Sequence, residues 1–543
     1  MSTSDVSVSE AAGEAQPRPA APAPPGLRRL RRWWVPAAWV AGAVVAFAVY
    51  LQLARTRAVN SDGASNALQA WDMLHGNLQL HGWSLTDVSF YTTELPQYML
   101  VELVRGLHQD VVHVAAAMTY TLAVVMAALL AKGNATGREA LVRVGIAAGI
   151  MLVPQLGPGM NILISSPDHI GTSVPVMVIW LILDRARPRW YLPVIAAVLL
   201  GWVMVADMLV LYIGVLPLAL AGGIRLYRAV IVEKQPLDSQ RYHLIMFVAP
   251  LVAAGAAALA LHIIHASGGF YVSAPVAQFA GSGAQLSQHV GVVAEGLLLL
   301  GGADFLGLRF SFLNALIVLH VAGVALAVWG TRLAGRCLRR DRDLVSQLLL
   351  LGVVINVTIY LLSVRAHWLP ATREMAPVLP LSAALAGRLL ARRLMAARLV
   401  PLLLVVSVGY LIGLAHEAVQ PQVPAQNQRL VSWLAQHHLH TGLSGYWESN
   451  VVTLTSGNRI QIRAVATSGG RVVPGLIESN QAWFDPHKSY ANFVVIYPGV
   501  REYPGFTDTG AVVTTFGPPA RTYDTGPYTV LVWNHNLLSS LRR

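Results

Sequence analysis

Long apolar segments recur through most of the chain and limit what it can fold into. An α-helix needs about 20 apolar residues to cross the roughly 30 Å hydrocarbon core of a bilayer. Eleven segments have that length or come close to it: 35–54, 111–131, 142–159, 169–184, 190–206, 207–223, 244–265, 309–330, 343–364, 375–390 and 399–415. Only 12% of the 543 residues are charged, against roughly 25% in soluble domains. The sequence therefore predicts a polytopic α-helical membrane protein with about 11 transmembrane helices, and a lipid bilayer as its surroundings.

Basic residues are grouped between these segments. Five groups follow every second segment, beginning at Lys132, Arg185, Arg225, Arg332 and Arg388. Short cytoplasmic loops are enriched in Lys and Arg, so we expect all five groups on the cytoplasmic side together with the N-terminus. The net charge of +12 then reflects membrane topology and implies no nucleic-acid partner.

Two apolar segments differ from simple spans in length or in polarity. Residues 190–223 are apolar except for Asp207, and one helix of that length would be about 51 Å long. Two short spans with an outward apex at Asp207 fit a bilayer better. Residues 286–302 contain His289 and Glu295, and counting them as a span would invert the order of the basic loops. We interpret them as an interfacial or re-entrant segment.

The chain divides into three parts. Residues 1–33 are predicted to be a disordered cytoplasmic tail, residues 34–424 a transmembrane domain with a large first outer loop at 55–110, and residues 425–543 an extracytoplasmic α+β domain. In the last part we expect a helix at 427–438. Strands are expected at 451–455, 460–465, 492–498, 511–516 and 528–533. The aromatic residues of this domain, Tyr446 among them, suit its core or a sugar-stacking surface.

The first outer loop has two helix patterns. Asn60-Ser61-Asp62-Gly63 precedes an apolar stripe through Ala64, Leu68, Trp71 and Leu74, which is typical of a helix at the membrane surface. Ser61 or Asp62 would be its N-cap. A second pattern runs from Pro96 to His108, with Met99, Leu100, Leu103 and Leu107 on one face. Asp62 is then either a simple cap or a functional carboxylate at the membrane surface.

This loop, the number of spans and the domain after them resemble the GT-C superfamily of membrane glycosyltransferases, especially actinobacterial enzymes that use a polyprenyl-phosphate-sugar donor. The resemblance implies that Asp62 is the general base of an inverting transfer to a glycan, lipid or protein acceptor. It implies a reaction at the outer face of the plasma membrane. Many relatives have an Asp-Glu or Asp-Asp pair where this chain has Asp62-Gly63, which leaves a divalent cation an open possibility.

A phosphate leaving group requires cationic donors. Arg365, His367 and Arg373 lie between two predicted spans on the outer side. The resemblance makes Arg373 the leading phosphate ligand. Alternatively, these residues anchor helix ends among lipid headgroups, or Arg373 forms an ion pair with its neighbour Glu374.

Other polar residues are candidates for lining the site. Asp168 and His169 are suitable ligands for a metal or for the acceptor. Asp207 is costly among apolar residues unless it faces water, a partner or a cavity, although it could also be an exposed turn residue. Glu94 and Asp87 in the first outer loop are further candidates.

The sequence contains no P-loop, Rossmann fingerprint, Cys-x-x-Cys motif or nucleophile elbow. A nucleotide cofactor or sugar-nucleotide donor is therefore not indicated. Two other classes remain open, namely a membrane transporter or lipid flippase and a non-catalytic envelope assembly protein.

Overall fold

A computed structural model describes residues 25–152, 159–273, 278–305, 309, 311–337, 343–425, 427–500 and 503–541. Most of the predicted N-terminal tail, residues 1–24, lies outside the described residues. The chain divides into two compact units, residues 1–45 and 46–543, and helix α1 (Pro25–Ala54) contains the boundary between them.

The helices before the C-terminal domain, after α1, are α2 (Ser61–Leu74), α3 (Glu94–Arg105), α4 (Asp110–Lys132), α5 (Gly137–Ile150), α6 (Gly159–Ile164), α7 (Ile170–Arg185), α8 (Leu192–Ala206), α9 (Leu216–Tyr227), α10 (Arg241–Ala266), α11 (Gly283–Leu300), α12 (Phe312–Cys337), α13 (Leu344–Leu362), α14 (Val378–Ala396) and α15 (Val400–Ala418). Single π-helical turns flank α9 at Leu211–Val215 and Arg228–Val232. Three 3₁₀ segments lie at Leu237–Gln240, Val364–His367 and Leu369–Met375.

The described part of each of the eleven predicted segments contains a helix, so the polytopic helical fold is confirmed. Within the described residues, seven helices are long and apolar enough to cross a membrane, and the bent pair Leu369–Met375 and Val378–Ala396 makes up to eight. Helices α5, α7 and α8 have 14, 16 and 15 residues, fewer than the roughly 20 of a full span. The number of eleven spans stays a prediction.

The structure divides the long segment 190–223 at Asp207, as predicted. Asp207 is the C-cap of α8 and its backbone is extended, and the next helical turn begins at Leu211. The interfacial or re-entrant segment predicted at 286–302 forms α11, which packs against both 3₁₀ segments at 364–375. Within the described part of the chain, α11 is not among the candidate spans.

Small residues allow the helices of the bundle to approach closely. A Cβ added at Gly387 of α14 would lie 2.5 Å from the carbonyl oxygen of Arg143, and one at Gly330 would lie 2.8 Å from the Cα of Ala386. Between α9 and α10, a Cβ at Gly222 would lie 2.6 Å from the backbone nitrogen of Phe247. Such small-residue contacts are typical of helix packing in membranes, where lipid is as apolar as the side chains.

Residues in or beside four of the five predicted basic groups meet at one end of the bundle. Arg388 bonds to Asp184 at 2.6 Å, to Asp343 at 2.5 Å and to the Leu130 carbonyl oxygen at 2.8 Å. We refer to Arg388, Asp184 and Asp343 as the Arg388 cluster. Its contacts join the ends of α4, α7, α13 and α14, which agrees with the prediction that these loops share one side.

A small sheet joins the first outer loop to the C-terminal domain. Its strands are β1 (Trp83–Leu85), β2 (Tyr271–Val272) and β6 (Ser479–Asn480). Strand β1 is central, parallel to β2 and antiparallel to β6. Because β6 belongs to residues 425–543, the C-terminal domain lies on the same side of the bundle as the first outer loop.

The C-terminal domain has a seven-stranded mixed sheet. Its strands are β3 (Thr441–Ser444), β4 (Gln461–Ser468), β5 (Arg471–Pro474), β7 (Phe493–Val500), β8 (Tyr503–Phe506), β9 (Arg521–Thr525) and β10 (Tyr528–Val532). The order is β5-β4-β3-β7-β10-β9, and β8 pairs with β7. Helices α16 (Gln428–Gln436), α17 (Tyr446–Thr455) and α18 (Thr509–Phe516) and short 3₁₀ turns at Gln481–Phe484 and Leu537–Ser540 complete it. The predicted α+β class and the helix at 427–438 are confirmed.

Two of the predicted strands are wrong. Residues 451–455 belong to helix α17, whose Val451, Val452 and Leu454 are all buried, so packing on several sides overrides the β-propensity of the run. Residues 511–516 belong to α18. There the Asp508 side chain accepts a hydrogen bond from the Ala511 N–H, and Gly517 follows the helix with φ 77°. These are ordinary start and stop signals of a helix.

Candidate active site

Seven of the eight predicted site residues come together at the end of the bundle beneath the C-terminal domain. Six of them, with Asp87 and Glu374, form a continuous chain of contacts that we call the site cluster. Its members are Asp62, Asp87, Asp168, His169, Asp207, Arg365, Arg373 and Glu374. The seventh, Glu94, lies beside it.

Asp62 is in the first turn of α2, and it is not the cap of that helix. The N-cap is Asn60, whose side chain accepts a hydrogen bond from the Gly63 N–H at 2.9 Å. The prediction of Ser61 or Asp62 as the cap was wrong, because Asn60 fills that role. The interpretation of Asp62 as only a cap is thereby excluded. Its carboxylate is left for other partners.

Those partners lie on two sides of the Asp62 carboxylate. Arg373 Nη1 is 3.3 Å from Asp62 Oδ2, and Tyr446 Oη is 2.6 Å from Oδ1. The side chain of Asp62 is 26% exposed and that of Arg373 is 40% exposed. Burial raises the pKa of Asp62, and the nearby charge of Asp168 adds to that rise. Arg373 and Tyr446 lower the pKa of Asp62, but the net effect is a raised pKa. An acid with a raised pKa is a stronger base when ionised.

Arg373 connects Asp62 to the segment before α7. Arg373 Nη1 lies 3.5 Å from Asp168 Oδ2. The predicted alternative, an ion pair between Arg373 and its neighbour Glu374, was wrong. Glu374 instead forms ion pairs with Arg365 and His169, because the short 3₁₀ segment at Leu369–Met375 points the two adjacent side chains at different partners.

Asp207 is buried and fully engaged, so it is not an exposed turn residue. It is 2% exposed. One carboxylate oxygen lies 2.9 Å from His169 Nδ1 and 2.5 Å from Thr172 Oγ1, and the other accepts a hydrogen bond from the Leu209 N–H at 2.8 Å. This satisfies the requirement that an acid in an apolar region has partners.

His169 lies among three carboxylates just before α7. Its Nε2 is 3.6 Å from Glu374 and 3.8 Å from Asp168, and its Nδ1 faces Asp207. Burial would lower the pKa of His169, but Glu374, Asp207 and Asp168 together raise it well above its ordinary value. The three carboxylates therefore favour the protonated imidazole, whose charge would balance part of the acid cluster.

Arg365 is held by Asp87 at 2.6 Å and by Glu374. Burial would raise the pKa of Asp87, but the charges of His169 and Arg365 outweigh it and lower that pKa. His367 does not join the site cluster in the part of the chain that the structure describes. It is exposed, and its Nδ1 lies 2.5 Å from the Val364 carbonyl oxygen.

Glu94 begins α3 and is buried beside α7. A Cβ added at Gly171 would lie 2.1 Å from Glu94 Oε1, so the glycine leaves room for this carboxyl group. Burial raises the pKa of Glu94 to about 8, and nearby Asp207 contributes to the rise. The protonated form of Glu94 is therefore favoured near neutral pH.

Two further residues of the site come from the C-terminal domain. Tyr446 begins α17 and contacts Asp62, and Glu478 precedes β6 and contacts Tyr446 at 2.7 Å. Sequence reasoning assigned Tyr446 only to the domain core or to sugar stacking, and it did not single out Glu478. Both are more than 380 positions from Asp62, and no short motif connects residues at that separation.

Gly63 has a packing role that accounts for the missing second acid. A Cβ at this position would lie 2.7 Å from Val112 Cγ1 and 3.1 Å from Ser166 Cβ. A carboxylate side chain after Asp62 has no room without a shift of α4 or of the segment before α7. Among the described residues, no group of three or more His, Cys, Asp or Glu side chains is arranged to hold a metal ion.

No protein-family model and no curated protein matches the sequence. Solved structures do match the fold. ArnT from Cupriavidus metallidurans bound to undecaprenyl phosphate has a TM-score of 0.52 and 12% sequence identity, covering 92% of this chain and 97% of that one. The apo state of the same enzyme has a TM-score of 0.54 and 13% identity, covering 95% and 100%.

ArnT is a GT-C glycosyltransferase, and this chain shares its fold, which confirms the expected polytopic helical bundle followed by a C-terminal domain. The likeness extends over nearly the whole of both chains. It includes the helical bundle and the domain that follows it.

Proposed function

We propose that this protein is an integral membrane glycosyltransferase that moves a sugar from a polyprenyl-phosphate carrier to a cell-envelope glycan, lipid or protein acceptor. The observation that carries the proposal is the partly exposed Asp62 carboxylate 3.3 Å from the partly exposed guanidinium of Arg373. A base and a cation side by side suit a reaction that removes one proton and releases one anion. The undecaprenyl phosphate bound to ArnT supports the carrier class.

In the proposed reaction, Asp62 takes the proton of an acceptor hydroxyl as its oxygen attacks the anomeric carbon of the donor. The bond between that carbon and the phosphate oxygen breaks, and polyprenyl phosphate leaves with the electron pair. This single displacement inverts the anomeric centre. A positioned general base contributes about 10²–10⁴ in rate, and the raised pKa of Asp62 makes it a better base than an exposed aspartate.

Arg373 and Arg365 would receive the phosphate. Each is now paired with carboxylates, and each is more than one-third exposed, so an incoming phosphate can reach both. Charge-assisted bonds from guanidinium groups to phosphate oxygens are short and strong, and they gain strength as negative charge develops on the leaving group. Asp168 would hold Arg373 in place, and His169, Asp207 and Glu94 would line the site.

The proposal is tested with purified protein, polyprenyl-phosphate sugars carrying a labelled sugar, and membrane extract as the acceptor source. We expect release of polyprenyl phosphate coupled to labelled acceptor, and a loss of about 10²–10⁴ in Asp62→Asn. Asp524→Asn, on exposed strand β9, is the matched control. Normal turnover by Asp62→Asn excludes Asp62 as the base. Binding or translocation of the lipid without bond cleavage supports the transporter or flippase alternative.

We also propose that the site faces the outside of the plasma membrane. The N-terminus would be cytoplasmic and the C-terminal domain extracytoplasmic. The enrichment of basic residues at the opposite end of the bundle supports this orientation. A C-terminal alkaline phosphatase fusion should be active in whole cells, and an inactive fusion of normal abundance contradicts the orientation.

A further inference from the structure

Tyr446 lies between two carboxyl groups. Its phenolic oxygen is 2.6 Å from Asp62 Oδ1 and 2.7 Å from Glu478 Oε2, and both distances are those of O–H···O hydrogen bonds. A phenol carries one proton and an ionised carboxylate carries none. Two hydrogen bonds among these three oxygens therefore need a second proton, which resides on one of the two acids.

The surroundings assign that proton to Glu478. Asp62 faces the guanidinium of Arg373 at 3.3 Å, which favours its ionised form although Asp168 is also near. Glu478 is 8% exposed. Besides Tyr446, its carboxyl group meets Thr86 Oγ1 at 3.4 Å, and among the described residues it has no ion pair with an arginine or lysine. Burial and the charge of Asp62 raise the pKa of Glu478 to about 8, against a smaller lowering by Tyr446, Ser65 and Arg373.

The backbone around this pair is also fixed. Glu478 has φ 47°, a left-handed conformation that is rare for a residue other than glycine. The next residues pair with β1 of the first outer loop, and Ser61 Oγ donates a hydrogen bond to the Tyr446 carbonyl oxygen at 2.6 Å. The strand pairing after Glu478 and the hydrogen bond from Ser61 thus hold Glu478 and Tyr446 beside α2.

We propose that Tyr446 and a protonated Glu478 are positioning residues that hold Oδ1 of Asp62 through a chain of two hydrogen bonds. Glu478 donates to the Tyr446 oxygen, and Tyr446 donates to Asp62 Oδ1. Oδ2, on the side of Arg373, is then the oxygen that takes the acceptor proton. The active site is completed by the C-terminal domain. This inference deepens the proposed function, on which its catalytic part rests.

The proton on Glu478 is measured without any turnover. In infrared spectra of the purified full-length protein at pH 6.5, Glu478→Gln should lack one carbonyl band of a protonated carboxylic acid. Glu139→Gln is the control, because Glu139 is ion-paired with Arg143 and Arg392 and contributes no such band. An unchanged band in Glu478→Gln overturns the inference, whatever the enzyme activity.

The positioning role is measured by kinetics. A glutamine at 478 still offers an N–H donor to Tyr446, whereas alanine offers none, so Glu478→Gln should keep on the order of ten times the kcat of Glu478→Ala. Tyr446→Phe should lower kcat like Glu478→Ala, with an unchanged KM for the donor. Equal loss in both Glu478 variants, at equal folding, overturns the role.

The pH profile separates positioning from a merely structural effect. Glu478 loses its proton as the pH rises through about 8. Tyr446 then faces two anions and no longer holds Oδ1 steadily, so wild-type kcat should fall above that pH. Glu478→Gln should lack this fall, and its persistence overturns the inference. If neither the wild-type protein nor any variant transfers sugar, but the infrared band is lost in Glu478→Gln as expected, the proposed function fails while the assignment of the proton to Glu478 stands.

Discussion

Arginine–carboxylate clusters lie at both ends of the helical bundle, but their arginines are engaged to different degrees. In the Arg388 cluster, the arginine is 9% exposed and is bound by two carboxylates and a carbonyl oxygen at 2.5–2.8 Å. In the site cluster, Arg373 is 40% exposed and its nearest carboxylates are at 3.3 and 3.5 Å. The same residue types therefore serve structure at one end, and at the other they leave a cation open to a ligand.

The largest effect is expected from breaking the Arg388 cluster. Arg388→Met leaves Asp184 and Asp343 without their shared cation, and removing one partner of a buried pair costs about 3–5 kcal/mol. We expect poor yield and a lower thermal unfolding midpoint in detergent. Arg392→Met is the matched control, because Arg392 is 78% exposed in its pair with Glu139 and exposed pairs contribute about 0–1 kcal/mol. Equal stability of the two variants contradicts the structural role of Arg388.

The next effect is expected at Arg373, on activity more than on stability. Loss of a hydrogen bond from a charged group costs about 1.5–3 kcal/mol, which corresponds to about 10- to 150-fold in kcat/KM for the donor in Arg373→Met. Arg521→Met, on exposed strand β9, is the control. Because Arg373 lowers the pKa of Asp62, its removal raises that pKa. The acid limb of the rate profile should then move to higher pH, and an unmoved limb contradicts the pairing.

Some parts of the fold and of the site were predictable from the sequence, and others were not. Asp62, Arg365 and Arg373 were predicted from the resemblance to GT-C enzymes and from the need of a phosphate for cations. The membrane fold and the break at Asp207 follow from apolar length and from the cost of charge in an apolar region. The cap at Asn60 and helices α17 and α18 do not, because three adjacent polar residues compete for one cap and short β-prone runs depend on their packing. Tyr446 and Glu478 were missed because the folded domain, not local sequence, brings them to Asp62.

A smaller effect is expected from filling the space at Gly63. Gly63→Ala adds a Cβ 2.7 Å from Val112 Cγ1, and overpacking of this kind costs about 1–3 kcal/mol. Because α2 carries Asp62, turnover should fall together with the unfolding midpoint. Gly145→Ala is the control, since nothing lies within 4 Å of its Cβ. Gly63→Ala as stable and active as Gly145→Ala contradicts the close packing at the site.

The smallest effect concerns Glu448. This residue is buried and forms no ion pair with an arginine in the described part of the chain, so it isolates the contribution of burial. Burial raises its pKa to about 8 from an ordinary 4.5. The folded state then binds more protons than the unfolded state between these values, so Glu448 makes the protein less stable as the pH rises from 4.5 to 8. Glu448→Gln should gain stability over wild type by up to about 1.4 kcal/mol per pH unit in that range.

The measurement is the thermal unfolding midpoint of both proteins at pH 5.5, 6.5 and 7.5. Glu139→Gln is the control, because Arg392 and Arg143 hold the pKa of Glu139 below its ordinary value despite the opposing effect of burial. The Glu139 carboxylate is therefore ionised in both states above pH 5.5, and its difference from wild type should stay constant. A difference for Glu448→Gln that also stays constant would show that Glu448 is ionised in the folded protein. An acid that is buried without a cation would then be ionised in the same way as the cation-paired acids of the two clusters.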